Sequence, residues 1–251
     1  LFRSDVDTGT DDAIAIMAAV MSENLEVLGV CAVNGNRGID FTTENTLRVV
    51  EYLGKDIPVF RGCSLPMVVS LTEGRREDIP YKGPKDPQDN VHGDYIDLPP
   101  ATIQEQPVPA VRWLVDTLMA SEGDITLIPV GPLTNIAMAL RIEPRIAQKI
   151  KRIVIMGGGC REVNITPTAE FNFWIDPEAA KIVFDCGCDI LVVPLDATHA
   201  AAVSIRTAEA LERKGTKPAT LTARIIRQRQ NAYKHWQPMA DIDSVPVHDA
   251  L

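Results

Sequence analysis

The sequence predicts an α/β protein with a Rossmann-like, mostly parallel central sheet and helices on both faces. Three observations carry this reading. Strand-like and helix-like segments alternate along the chain. The strand-like segments are almost wholly apolar, as strands buried on both faces must be. The polar, glycine-containing clusters fall just after those segments, where an open parallel sheet gathers its loops.

The elements follow in order. A short first strand leads into Asp5-Val6-Asp7-Thr8-Gly9-Thr10-Asp11-Asp12. Asp11 and Asp12 suit a helix N-terminus, and residues 13–21 have a helical pattern. Residues 25–33 read as a strand, with Asn34-Gly35-Asn36 after it, and 42–53 as a helix. Residues 61–105 are rich in Pro, Gly and charge and show little periodicity, so this connection reads as a lid or a flexible segment. A helix over 108–119 precedes a strand over 125–130, and a helix over 133–140 opens with Leu133-Thr134-Asn135. The strand at 153–156 runs into Gly157-Gly158-Gly159; a helix at 177–184 and a strand at 190–194 follow. Residues 208–236 read as two helices divided near Lys214-Gly215-Thr216-Lys217-Pro218.

Composition narrows the function. The chain has 251 residues, 45% of them hydrophobic, enough for a packed core. A net charge of −9 argues against a nucleic-acid partner, because phosphate binding needs clustered Lys and Arg. The basic run from Arg224 to Arg229 reads as the wet face of a helix. No segment approaches about 18 uninterrupted apolar residues, and no basic region followed by an apolar leader opens the chain. The expectation is a cytoplasmic protein with no membrane partner. The five cysteines, Cys31, Cys63, Cys160, Cys186 and Cys188, match no zinc or C-x-x-C spacing, and are expected to be buried, reduced thiols.

The four carboxylates of Asp5, Asp7, Asp11 and Asp12 allow two chemistries. Asp-x-Asp near Gly-Thr is close to the nucleophile loop of haloacid-dehalogenase-type phosphatases, but Thr8 interrupts it. The late acids Asp196 and Asp241 also do not pair as that chemistry requires. Capping accounts for Asp11 and Asp12 and leaves Asp5 and Asp7 without a reason. A tight turn through Gly9 can bring Asp7 and Asp12 to one point. Carboxylate oxygens with no neighbouring His or Cys favour Ca²⁺ or Mg²⁺.

The stretch from Asp5 to Ala19 resembles the N-terminal signature of the inosine-uridine-type nucleoside hydrolases. The resemblance continues through Asn34-Gly35-Asn36, Thr43-Glu44-Asn45, Gly131-Pro132-Leu133-Thr134-Asn135-Ile136-Ala137 and Met156-Gly157-Gly158-Gly159. It runs on through Asn164, Ala169-Glu170-Phe171-Asn172, Ile175-Asp176-Pro177-Glu178-Ala179-Ala180 and Val247-His248-Asp249. These motifs stand in family order over nearly the whole chain.

The resemblance implies hydrolysis of the N-glycosidic bond of ribonucleosides to ribose and free base, in nucleoside catabolism and purine or pyrimidine salvage. It implies Ca²⁺ held by Asp7, Asp12, Asp249 and the Val130 carbonyl, with Asp7 taking a proton from bound water. It implies ribose contacts from Asp11, Asn36, Asn164, Glu170 and Asn172. His248, beside Asp249, is the candidate acid for the departing base. His92-Gly93 resembles the family's mobile-loop His-Gly, and Gln230, Tyr233 and Trp236 share one face of a late helix. These four, His92 among them, are candidate base contacts, although an aromatic helix face also suits a core.

Two departures stand out. Thr8 replaces the family's usual Pro, and the chain stops soon after His248-Asp249. Residues 1–251 are therefore read as a single nucleoside hydrolase domain lacking the family's C-terminal segment. The family implies a homodimer or homotetramer. The alternatives are an N-glycosidase for another ribosyl substrate, or a catalytically silent ribose- or nucleoside-binding protein.

Overall fold

The computed structural model describes residues 2–71, 91–236 and 243–251. Six strands form one sheet: β1 (Phe2–Val6), β2 (Val27–Ala32), β3 (Val59–Arg61), β4 (Ile125–Pro129), β5 (Ile150–Met156) and β6 (Ile190–Val193). Their order is β3-β2-β1-β4-β5-β6, and every pairing is parallel. The chain winds outward from β1 to β3, returns beside β1 as β4, and winds outward again. The order therefore reverses between β1 and β4, and the crevice beyond their C-terminal ends is where such sheets bind ligands. Val6 pairs with Ala32, and Asp5 with Pro129. Asp7, Val33 and Val130 consequently leave the sheet side by side.

Nine α-helices lie among the described residues: α1 (Thr10–Met21), α2 (Ile39–Leu53), α3 (Ala110–Ala120), α4 (Thr134–Ile142), α5 (Phe171–Ile175), α6 (Pro177–Phe184), α7 (Leu195–Ala200), α8 (Ile205–Lys214) and α9 (Lys217–Trp236). The period-two geometry of the strands divides their side chains between two cores. Val6, Val30 and Met156 join a core with Ile16, Met17, Leu47, Val50 and Ile226 from α1, α2 and α9. Cys31, Leu127, Ile153 and Ile155 join the opposite core with Leu114, Leu118, Ile136, Leu140 and Val183 from α3, α4 and α6. Helices thus cover both faces, as expected from the alternation.

The break predicted near Lys214 is there: Gly215, with φ 66°, ends α8. A small antiparallel pair, β7 (Val203–Ser204) with β8 (Ser244–Val245), returns the chain towards α1. The turn His248–Ala250 then packs on α1.

Several expectations change. Asp5 and Val6 lie inside β1, whereas the sequence placed the whole acidic stretch after it. The short elements β3, α5, α7, β7 and β8 were not anticipated. Among the five cysteines only Cys31 is buried; Cys160 is exposed and the others are half-buried. Of the irregular stretch 61–105, residues 72–90 lie outside the described residues. Its later part is fastened to α2: the Ile96 N–H donates to Asn45 Oδ1 at 2.9 Å, and Arg48 Nη1 donates to the Leu98 carbonyl at 3.1 Å. Arg48 also lies over the Tyr95 ring, 4.4 Å from its centroid.

Candidate active site

The acidic loop closes on itself. Asp12, in the first turn of α1, accepts the Asp7 N–H on Oδ1 at 3.1 Å and the Gly9 N–H on Oδ2 at 2.8 Å. Its carboxylate thus satisfies two otherwise orphaned donors and sets the tight turn. Thr8 is buried, and its hydroxyl lies 2.6 Å from that of Thr46 on α2. Its carbonyl accepts from Asn45 Nδ2 at 3.1 Å. The Thr where Pro is usual in the resembled family therefore anchors the loop to α2 through its hydroxyl, which a Pro lacks.

Two neighbouring loops enclose Asp7. The Asn36 N–H donates to Asp7 Oδ2 at 2.6 Å. A Cβ on Gly35 would stand 2.1 Å from that same oxygen, and one on Gly131 would stand 2.7 Å from Asp7 Oδ1. Both approaches require an absent side chain. Behind them, Asn135 Nδ2 donates to Asp5 Oδ1 at 2.7 Å and to the Ala32 carbonyl at 3.0 Å. The Asp5 carbonyl accepts the Val130 N–H at 2.9 Å. Asp5 and Asn135 thereby level the ends of β1, β2 and β4. Asp176 braces the helices behind the site in a similar way. It accepts from Thr134 Oγ1 at 2.7 Å and from Ala179 N at 3.1 Å, joining α4 to the start of α6.

The loop after β5 folds over Glu170. Its carboxylate accepts N–H groups from Gly158 at 2.9 Å, Asn172 at 2.8 Å and Phe173 at 3.2 Å. Burial pushes its pKa up, and these bonds hold the rise back. Asn172 Nδ2 donates to the Val130 carbonyl at 2.9 Å, and Asn164 Oδ1 accepts the Phe171 N–H at 2.9 Å.

The opposite wall comes from α9 and the chain's return. Tyr233 OH lies 2.9 Å from His248 Nε2, and Thr198 Oγ1 lies 2.7 Å from His248 Nδ1. Burial, the largest influence, pushes His248 down to about 3. His92 stands above the acidic loop, where its ring occupies the space a Gly9 Cβ would need. Its Nδ1 accepts the Thr10 N–H at 3.2 Å, and burial pushes it down to about 4. Both imidazoles are therefore neutral at neutral pH in this state.

Asp11, Asp12 and Asp249 each offer a carboxylate oxygen, all within 4.8 Å of one another. Burial, then neighbouring carboxylates, pushes Asp7 and Asp249 well above the usual range and Asp12 up to about 7. Asp11 differs. Burial alone would raise it, but the guanidinium of Arg229, with Nη1 2.8 Å from Asp11 Oδ1, leads the charges that bring it below its ordinary value. Buried like charges with only oxygen donors suit a hard divalent cation, which would offset their repulsion.

The family model for inosine-uridine preferring nucleoside hydrolases matches residues 3–251. The chain belongs to that family. It is 39% identical over 251 residues to the pyrimidine-specific ribonucleoside hydrolase RihB of Escherichia coli K12, covering 98% of this chain and 74% of that one. Among solved structures, the plant nucleoside hydrolase PpNRh1 superposes with a TM-score of 0.86 at 30% identity, over 99% of this chain and 76% of that one. The purine-preferring ribonucleoside hydrolase of Gardnerella vaginalis gives a TM-score of 0.84 at 26% identity, over 99% and 77%. As a nucleoside hydrolase, the protein cleaves ribonucleosides to ribose and base.

The nucleoside hydrolase motifs meet beyond the C-terminal ends of β1 and β4, but the close group differs from the ligand set the resemblance implied. Asp12 and Asp249 form it with Asp11, which was expected to contact ribose, while Asp7, expected among the metal ligands, stands beside it with its N–H on Asp12. The Val130 carbonyl accepts Asn172 Nδ2. Asn36 meets Asp7 through its backbone. Glu170, Asn164 and Asn172 are here engaged by backbone groups of their own loop and of Val130. Tyr233 and His92 line the wall, Gln230 is half-buried beside it, and the Trp236 side chain lies outside the described residues. Sequence reasoning missed Arg229, which is buried instead of facing water with the rest of the basic run. Its spacing held the signal: Arg229 follows Ile225 by four residues and precedes Tyr233 by four, so all three share one helix face. Asn45, Asn135 and Thr198 were also missed as pinning residues.

Proposed function

We propose that this nucleoside hydrolase works with a Ca²⁺ ion at the cluster of Asp7, Asp12, Asp249 and the Val130 carbonyl, with Asp7 as the base that takes a proton from the attacking water. The observation that carries this is the close group of the Asp11, Asp12 and Asp249 carboxylates, all oxygen donors, at the sheet's switch point, with the buried Asp7 beside it. A bound divalent cation would acidify water and hold the ribose diol. The chain's own residues do the rest. Asn36, Gly35 and Gly131 fix Asp7 from two sides. The remaining carboxylates favour the positive charge that develops on the ribosyl ring as the glycosidic bond breaks.

Asp11 is the ribose contact best placed to serve, because its carboxylate is held ionised at the cluster. Asn36, Asn164, Glu170 and Asn172 complete the ribose set; Glu170 and the two loop asparagines would exchange or share their present backbone partners. His248 serves the leaving base as the acid; its Nδ1 and Nε2 here meet the hydroxyls of Thr198 and Tyr233, and one of these contacts would give way for the ring to reach the base. His92, Gln230 and Tyr233 border the base.

Incubation with a panel of ribonucleosides, with and without a calcium chelator, tests the reading through released base and reducing sugar. The expected result is cleavage that stops on chelation and returns with Ca²⁺. Cleavage untouched by the chelator would remove the metal, and tight ribose binding without cleavage would leave a binding protein.

A further inference from the structure

Arg229 is 1% exposed. A guanidinium so far from water is costly unless it is paired and hydrogen-bonded. Its fork serves three elements. Nε donates to the Pro246 carbonyl at 3.0 Å, two residues before His248. Nη1 donates to Thr10 Oγ1 at 2.8 Å and stands 2.8 Å from Asp11 Oδ1. Nη2 donates to the Tyr233 hydroxyl at 3.4 Å. One planar group therefore ties α9 to the first turn of α1 and to the segment after β8 that delivers His248 and Asp249. An ammonium lacks that fixed fork.

We infer that Arg229 is a positioning residue for hydrolysis: its guanidinium holds the Asp11 carboxylate in the orientation that receives a ribose hydroxyl. The inference rests on the reading of Asp11 as a ribose contact. Asp11 sits in the close carboxylate group, and the guanidinium, with Nη1 2.8 Å from Asp11 Oδ1, is the fixed positive charge beside its carboxylate. Thr10 and Pro246 fix the guanidinium in turn. Without it, Asp11 can turn away from the sugar, and a displacement of about 1 Å can cost on the order of 10²-fold in rate.

A general structural role would weaken the enzyme equally for every substrate; positioning of Asp11 would not. The test compares kcat/KM of the wild type, Arg229→Gln, Arg229→Lys and Asp11→Asn on the best ribonucleoside and on its 2′-, 3′- and 5′-deoxy analogues, in Ca²⁺ buffer. Thermal unfolding checks each fold. The analogue on which Asp11→Asn costs least identifies the hydroxyl that Asp11 takes. The expected result is a loss of about 10- to 100-fold for the Arg229 variants on the ribonucleoside. On the identified analogue the loss should shrink to about twofold, the scatter of independent effects. Arg229→Lys, which keeps the charge, carries the comparison where Arg229→Gln is unstable. An equal loss on every analogue, or near wild-type turnover throughout, would overturn the inference. A wild type inert on all nucleosides would instead overturn the hydrolase reading beneath it.

Discussion

The backbone N–H of Asn36 donates to Asp7 Oδ2 at 2.6 Å, so the loop after β2 fixes the carboxylate that ends β1. That contact depends on Gly35, whose absent Cβ leaves room for the same oxygen. Gly35→Ala should therefore force Asp7 aside. Because a Cβ would come within 2.1 Å of Oδ2, either the loop or the carboxylate must move. The expected outcome is a fall in kcat of about 10²-fold or more in a protein that still unfolds cooperatively. Wild-type kcat in the alanine variant would show that Asp7 tolerates displacement.

The two proton-handling roles separate by substituting each residue. Asp7→Asn keeps the size and removes the base, so kcat should fall by about 10²- to 10⁴-fold. His248→Ala should cost most on nucleosides whose base leaves poorly, because a good leaving group needs less protonation. A series of nucleosides graded by leaving-group pKa measures this as a steeper dependence of log kcat in the variant. An unchanged slope would take the acid role from His248.

The framework was legible because its cause is simple. A strand covered on both faces must be apolar throughout, and 125–130 and 153–156 say so directly. The turn joining Asp7 and Asp12 was legible for a similar reason: only a short loop through Gly9 lets a helix start so soon. What escaped depends on long-range partners. Nothing local to Glu170 says that its oxygens meet the N–H groups of Gly158, Asn172 and Phe173. The basic run misled because composition outweighed spacing: Arg224 faces water and Arg229, five residues on, does not. β3 escaped because three residues at a sheet edge give too few positions for a pattern.

Thiol reactivity should distinguish Cys160 from Cys63. Cys160 is exposed. Burial, then the nearby Asp5 and Asp176, pushes the Cys63 thiol up to about 12. At pH 8 its thiolate fraction is then about 10⁻⁴, and the thiolate is the nucleophile. Iodoacetamide at that pH should label Cys160 well before Cys63, as read by peptide mass spectrometry. Raising the pH should narrow the gap as more of Cys63 ionises. Early labelling of Cys63 would mean that the stretch after β3 opens readily.

Removal of one carboxylate should affect the metal-free and metal-bound proteins in opposite directions. Asp7, Asp12 and Asp249 are pushed up first by burial and then by other carboxylates of the cluster, so together they oppose folding when no cation is present. Asp249→Asn should leave the chelated protein as stable as the wild type, or more so. Saturation at about 100 times Kd should add roughly 2.7 kcal/mol to the wild type, a rise in Tm of about 5–10 °C for a chain of this size. The variant should lose most of that rise, because it lacks one of the charges that hold the ion. Differential scanning calorimetry of both proteins, with chelator and with Ca²⁺, measures all four values. A variant less stable than wild type under chelation but with the full calcium response would place Asp249 in the scaffold and outside the metal site.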